Sequence, residues 1–532
     1  MTEALSQFVD RFGKWRIAFS VFLVAFAAII LLYLDYAPIQ WDETPHLMGP
    51  LVLSRGQLFF DYLEGYAFYP PLFDTITVLY YTVLGPSLFS ARLVAVTFGL
   101  LSLCAVFEYT YRLYGPRNAL LASILLASMP GFIILCRLAL IETMLMFFFS
   151  LALLLFWGWI HTNSNKLLVL TGIAAGLGVL AKYQSILVGA VMLAGIMLMY
   201  RDNIIKKIGK LLFIAIIAGL VFLPWFAIVY QYYATGNIEI WLYAISVGNV
   251  ERTAYSLRFP APIFYLIEMT YPYSHIHPIS LPIYGLALCG LGLWAWRRKE
   301  ADKFGLIWFV LLFIIFTIIP NKNWRYLVPL FPVFAVTAST TILSIWDKLR
   351  TGLKNHRIGL RNPKVVKALT VVFVVSIGAS VVYSLSNAYT WIEQDHVKIP
   401  IKEAAQYVHD NSAVDEGTVV LFTGNYFSTD MLRFYIRIFD TGERVIFAYP
   451  KNPIDAYPPT LNETLLSEMC VEKNVKYLSL YEHGNITYYD SDWKSYYVLD
   501  RLISSGNFTQ ETVFGTYPRR ITVLQFTPNQ QN

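Results

Sequence analysis

Charge is what this sequence has least of: Asp, Glu, Lys and Arg make up 14% of its 532 residues, against about 25% in an ordinary water-soluble chain. So few charges cannot solvate a surface of normal size, so water is excluded as the solvent for most of the chain. Cysteine is scarce too. The four residues, Cys104, Cys136, Cys289 and Cys470, are scattered and suggest neither a disulfide framework nor a Cys-based metal site. The sequence also lacks a repeat at solenoid spacing, a low-complexity tract, a P-loop and a Gly-rich dinucleotide fingerprint.

What is abundant is apolar. Hydrophobic residues make up 56% of the chain and the mean hydropathy is +0.51. They fall in runs near 20 residues, the length a helix needs to cross roughly 30 Å of hydrocarbon at 1.5 Å per residue. The runs lie at approximately 17–35, 91–111, 118–134, 138–160, 166–181, 184–200, 209–231, 277–296, 304–320, 325–345 and 366–386. They predict an α-helical polytopic membrane protein with about eleven transmembrane helices. The first run ends in Leu-Tyr-Leu-Asp-Tyr and has no small-residue cleavage site, so it reads as a retained anchor.

Orientation follows from the placement of Lys and Arg, because cationic loops stay in the cytoplasm. One set of alternate segments holds Arg11, Lys14 and Arg16, then Arg112 and Arg117, Lys166, the Arg201 to Lys210 group, the Arg297 to Lys303 group and the Lys348 to Lys367 stretch. These are expected in the cytoplasm with the N-terminus, which places the C-terminal region on the extracytoplasmic side. The net charge of +6 is concentrated in those loops, so it reads as topology and contact with membrane lipids, with no nucleic acid as partner.

Residues 387–532 change character. β-like runs at 418–423, 445–449 and 476–481 alternate with helix-like segments near 400–410, 461–472 and 491–504, which predicts a soluble α/β domain. All three Asn-x-Ser/Thr sequons, at Asn462, Asn485 and Asn507, fall in this part. The expected division is a membrane domain over 1–386, including a first external loop at 36–90, and the α/β domain over 387–532.

The first external loop, at about 55 residues, is too long for a simple connection. It contains Pro38-Ile-Gln-Trp-Asp-Glu-Thr-Pro-His46, followed by Arg55, Asp61, Glu64, Tyr69-Pro-Pro71 and Asp74. Asp42 and Glu43 sit just beyond a membrane exit, where a low local dielectric can tune a carboxylate as base or metal ligand. A helix N-cap in a solvated loop is the other reading of that pair. Lys182 and Arg325 fall at outer span ends, at the depth of lipid headgroups, where an Arg fork and a Lys point charge suit a phosphate; snorkelling to the interface is the alternative. Arg92, Arg258 and Lys322 are further cations on that side. Arg137 and Glu142 flank the start of the fourth span, either as a structural Arg–carboxylate arrangement or with Glu142 acting beside Asp42 on an acceptor or a divalent cation. A divalent cation is therefore left open as cofactor. His46, His275 and His277 are also external.

Four motifs occur in order: Trp41-Asp42-Glu43, Tyr69-Pro70-Pro71-Leu72, Ser90-Ala-Arg92-Leu93 and Arg325-Tyr-Leu-Val-Pro-Leu-Phe-Pro332. In combination the chain resembles the protein O-mannosyltransferase and aminoarabinose-transferase superfamily of GT-C membrane glycosyltransferases, over roughly residues 17–345. The resemblance implies a GT-C-like fold and a donor in which a hexose or pentose is linked to a dolichyl- or undecaprenyl-type polyprenyl phosphate. It implies an acidic first external loop serving the acceptor, which would be a protein, a glycolipid or a glycan, and cations holding the lipid phosphate. Asp42 aligns with the leading acid of the family motif. Tyr69 stands where many relatives carry Lys, and the tail is unlike the β-trefoil of eukaryotic protein mannosyltransferases. A transporter or flippase for a lipid-linked sugar is the rival reading, but it would place ionisable groups near the bilayer centre rather than at one face. An oligosaccharyltransferase would carry a Trp-Trp-Asp signature, which this sequence lacks.

Overall fold

The computed structural model describes residues 13–36, 39–56, 69–202, 204–233, 256–270, 277–355, 363–394, 398–421, 427–440, 442, 444–449, 461–483, 495–517 and 519–528. Asp61, Glu64, His275 and Asn485 lie outside them. The chain forms two compact units. The first comprises 1–32, 58–77 and 92–391, and the second 33–57, 78–91 and 392–532. The expected first external loop, 36–90, is thus shared between them.

Every expected span is helical. The helices are α1 Lys14–Ile30, α2 Thr44–Ser54, α3 Leu72–Leu84, α4 Leu88–Tyr114, α5 Pro116–Ala127, α6 Pro130–Arg137, α7 Glu142–Thr162, α8 Asn165–Ala181, α9 Leu187–Met199, α10 Ile204–Tyr233, α11 Ala261–Glu268, α12 Leu281–Arg297, α13 Glu300–Ile318, α14 Phe331–Asn355 and α15 Pro363–Gln394. Six described helical stretches are alone long and apolar enough to span. The expected span at 118–134 is instead two helices, α5 and α6, bent by 68°. The residue before a proline is steered from helical to extended backbone, and Met129, just before Pro130, has φ −70° and ψ 122°. Helix α11, and the positions of α2 and α3 within the long first loop, were not foreseen.

Within the first unit, α7 and α14 are enclosed by protein, whereas α10 and α15 leave Ile205, Leu212, Val371 and Val375 exposed, as suits helices facing lipid. The approach of α8 to α10 depends on glycine. A Cβ at Gly172 would lie 2.7 Å from Ile217 Cβ, and one at Gly176 2.8 Å from the Ala218 carbonyl oxygen. Small residues four apart let membrane helices pack backbone to backbone where apolar burial gives no drive. An interior charge pair is also held here: Arg297 forks onto Asp302 through Nε and Nη2 at 2.7 and 2.6 Å.

The second unit holds helix α2 and a five-stranded sheet. Its remaining elements are α16 Ile401–Asn411, β1 Gly417–Leu421, α17 Thr429–Phe439, β2 Ile446–Tyr449, α18 Glu463–Glu472, β3 Val475–His483, α19 Ser495–Ser504, β4 Phe508–Thr516 and β5 Arg519–Phe526. The strand order is β2-β1-β3-β5-β4. Strand β1 pairs in parallel with β2 and β3, while β5 pairs antiparallel with β3 and β4. Leu421, Leu466, Leu478, Leu480, Leu502 and Leu524 are buried in one core cluster. The expected α/β domain is present. Its last hairpin and α17 are additions.

Candidate active site

The arrangement that gathers charge in the first unit is built on Glu142. Its backbone opens α7, so the carboxylate lies at the positive end of that helix dipole. The side chain is 3% exposed and is approached by two cations, Lys182 Nζ at 2.9 Å from Oε1 and Arg325 Nη1 at 3.6 Å from the same oxygen. A carboxylate out of water needs such partners to remain ionised. The cations keep about a fifth of their side-chain surface exposed, 19% for Lys182 and 21% for Arg325, so they are held without being sealed in.

Local sequence explains how each cation reaches this position. At Lys182 helix α8 ends: the residue is extended, with φ −157° and ψ 128°, while its N–H still donates to the Gly178 carbonyl at 2.9 Å. The following 3-10 turn, Tyr183–Ile186, folds directly over Gly178, where a Cβ would strike the Ser185 hydroxyl and lie 3.3 Å from Phe148 Cβ. Arg325 lies in a second 3-10 turn, Trp324–Leu330, whose N-cap Asn323 accepts the Arg325 N–H at 3.0 Å. Gln184 Nε2 donates to the Tyr326 carbonyl at 3.0 Å and joins the two turns. Tyr183 is fixed from the other side by Trp225 Nε1, which donates to its hydroxyl at 3.1 Å. Gln184 and Asn323 are the positioning residues that sequence reasoning missed; their signal is a polar amide within two residues of each candidate cation.

The other candidates in this unit have different surroundings. Arg137 is buried and donates through Nη1 to the carbonyls of Ile30 and Leu32 at 2.8 and 2.7 Å, closing the end of α1. Lys322 directs Nζ at the carbonyls of Phe316, Thr317 and Ile319, at 3.3, 2.7 and 2.7 Å, so its three ammonium hydrogens are committed to the last turn of α13. Arg258 pairs with buried Glu268 at 2.6 Å. Arg92 is buried within α4, and Tyr69 is half-buried ahead of α3. His277 makes a 3.0 Å hydrogen bond with the Thr270 carbonyl through Nδ1.

In the second unit the adjacent acids separate in role. They form a 3-10 turn, Trp41–Glu43, that leads into α2. Glu43 is fully buried and accepts the Gln40 N–H through Oε2 at 2.8 Å, which ties down the turn. Asp42 is half-buried. His46 is buried inside α2. Among the described residues no group of three or more His, Cys, Asp or Glu is assembled that could hold a metal ion.

Comparison with known proteins gives this geometry a context. A family model described as dolichyl-phosphate-mannose-protein mannosyltransferase matches residues 69–228. An uncharacterized protein of Aquifex aeolicus (strain VF5) is 29% identical over 277 residues, 50% of this chain and 51% of that one, so the match spans about half the length of that relative. Among solved structures, ArnT from Cupriavidus metallidurans bound to undecaprenyl phosphate is 16% identical, with a TM-score of 0.58 over 96% of this chain and 98% of that chain. The oligosaccharyltransferase AglB from Archaeoglobus fulgidus, in complex with an inhibitory peptide and a dolichol-phosphate, is 15% identical, with a TM-score of 0.54 over 88% of this chain and 70% of that chain. At such identities the likeness is one of fold. The family match runs through the helices that present Glu142 and Lys182, and along nearly its whole length the chain shares the GT-C fold of ArnT, so it is similar in sequence to the protein mannosyltransferases over 69–228 and in fold to GT-C membrane glycosyltransferases.

Proposed function

We propose that the protein transfers a sugar from a polyprenyl-phosphate carrier to an acceptor hydroxyl at the extracytoplasmic membrane face, inverting the anomeric centre. The observation that carries the reading is the convergence of Lys182 and Arg325, from distant parts of the sequence, on one buried carboxylate. Two largely shielded, partly exposed cations at a span end form a seat for a phosphate whose charge grows as it leaves. Glu142 acts there as their counter-ion and spacer, holding both cations in place while the seat is empty. That ArnT was solved with undecaprenyl phosphate and AglB with a dolichol-phosphate supports a carrier of this chemical kind.

Asp42 is the proposed general base. The acceptor oxygen forms a bond to the anomeric carbon while the bond from that carbon to the phosphate oxygen breaks. The hydroxyl proton passes to Asp42, and polyprenyl phosphate departs with the electron pair, stabilised by Lys182 and Arg325. Attack opposite the leaving phosphate inverts the centre. Asp42 is preferred to Glu43 because the Glu43 carboxylate is buried and engaged by the Gln40 N–H.

The test is single-turnover transfer by purified protein presented with a panel of polyprenyl-phosphate sugars. The wild-type protein should release polyprenyl phosphate and a transferred or hydrolysed sugar. Asp42→Asn should bind donor but transfer about 10²–10⁴-fold more slowly. A wild-type rate in a folded, donor-binding Asp42→Asn protein would exclude Asp42 as base. Vesicle transport of a donor without any turnover would replace the transferase reading with that of a lipid-linked-sugar transporter.

A further inference from the structure

The acidic turn and helix α2 are far from residues 392–532 in sequence, yet they belong to the same compact unit as that C-terminal region. The link is made at Arg55, the C-cap residue of α2. Its Nη1 donates to the Asp440 carbonyl at 2.8 Å and its Nη2 to the Ile438 carbonyl at 2.9 Å. Both acceptors lie at the end of α17, where the last carbonyls of a helix have no partner within it and carry the negative end of its dipole. A guanidinium reaches two such carbonyls at once because its donors form a rigid planar fork.

The surroundings of this contact favour a fixed hinge-free junction. Residues 46–52 of α2 are buried on every side, unlike a loop helix lying loosely on a surface. The Tyr81 hydroxyl adds a hydrogen bond to the Leu47 carbonyl at 3.3 Å. Burial, and then Arg437 nearby, lower the Arg55 pKa from its usual value, with Asp440 opposing the shift. Being half-buried makes its hydrogen bonds worth somewhat more than those of a fully exposed arginine.

We infer that Arg55 is a positioning residue through which the C-terminal α/β domain holds helix α2, and with it the Asp42 turn, in the geometry needed for transfer. The soluble domain is then a working part of the catalytic machinery: it sets where the base stands. The inference rests on Asp42 being the base. A base carried on the turn that opens a helix eleven residues long is displaced when the far end of that helix rotates, and a misplacement of about 1 Å can cost roughly 10²-fold in rate.

The experiment compares full-length wild type, Arg55→Ala and Arg55→Lys by hydrogen–deuterium exchange and by transfer kinetics. In Arg55→Ala, exchange should rise in peptides covering 44–54 and 429–439, while β3 and β5 keep wild-type protection. The kcat should fall by about 10²-fold with the donor KM unchanged, because the donor phosphate is held elsewhere. Arg55→Lys, which keeps the charge but cannot fork, should lie between the two. It also serves as the informative variant if Arg55→Ala fails to fold. Unchanged exchange in 44–54 would overturn the inference, and so would raised exchange with a wild-type kcat, since Arg55 would then be structural only. If wild type transfers no sugar from any donor, the positioning role falls with the transferase reading, whereas the exchange result still decides whether Arg55 joins α2 to α17.

Discussion

Replacing Lys182 with Met keeps most of the apolar stem and removes the charge, which makes it the sharpest test of the phosphate seat. In the wild-type protein Nζ lies 2.9 Å from Glu142 Oε1, with Arg325 at 3.6 Å. A hydrogen bond to a charged group contributes about 1.5–3 kcal/mol, equivalent to roughly 10- to 150-fold in Kd. Lys182 is 19% exposed, so the lower end, about tenfold, is the expected loss of affinity for undecaprenyl phosphate or dolichyl phosphate. The same substitution leaves Glu142 with its more distant cation, which should cost about 1–3 kcal/mol of stability. Adding Glu142→Gln to Lys182→Met removes the under-compensated carboxylate, so stability should recover while affinity does not. Arg325→Ala completes a double-mutant cycle. If both cations hold one phosphate, their effects on Kd should couple by about 0.5–3 kcal/mol. Native mass spectrometry or calorimetry with the lipid phosphate gives Kd, and thermal unfolding in detergent gives stability. An unchanged Kd in folded Lys182→Met and Arg325→Ala proteins would refute the seat and return both residues to interfacial anchoring.

Two further outcomes test other parts of the structure. Cys470 is fully buried, and burial pushes its thiol up to about 12; a membrane-impermeant maleimide should therefore label it only after the C-terminal domain is unfolded, and labelling at wild-type fold would contradict its place in the core. Because the native state keeps that proton while the unfolded chain releases it, this thiol's contribution to domain stability is complete below pH 9 and declines as pH rises from 9 towards about 12, which alkaline urea titrations would show. If the Lys/Arg asymmetry sets the orientation, with the N-terminus in the cytoplasm and the C-terminal domain outside, protease added to intact, right-side-out cells should cut within 387–532, and protection until permeabilisation would reverse the orientation.

Much of the fold was legible because a spanning helix leaves a strong local trace: an apolar run of the right length identifies it whatever its neighbours are. The α5–α6 break was visible only as Pro130, and a proline within an apolar run signals either a tolerated kink or a boundary. In the C-terminal domain β1, β2 and β3 follow apolar β-rich runs. Strand β4 was missed because it is mostly exposed, with only Phe508 fully buried, and its stability comes from pairing with β5 rather than from its own pattern, whereas β5 has a buried run at 521–524 that went unread. Helix α17 carried a readable start: Ser428 Oγ accepts the Met431 N–H at 3.3 Å, the arrangement its Ser-Thr-Asp opening favours.

The site was legible in residue type but not in partnership, and for arginine and lysine partnership decides function. In sequence, Arg137, Lys182, Arg258, Lys322 and Arg325 are equivalent: each is a cation expected on the same side of the membrane. Three-dimensional neighbours divide them. Arg137 meets carbonyls contributed by residues more than a hundred positions earlier, Lys322 turns back on its own helix end, and Arg258 meets a carboxylate ten residues on. Lys182 and Arg325 meet Glu142, 40 residues from the first in sequence. Carbonyls that already fill a cation's donors leave nothing to exchange for a ligand. A single carboxylate shared by two partly exposed cations is a different arrangement, because a bound phosphate would meet both cations at once. That shared partner, beside two turns held by Asn323 and Gln184, distinguishes the proposed phosphate seat from the other cations, and no pattern along the chain records it.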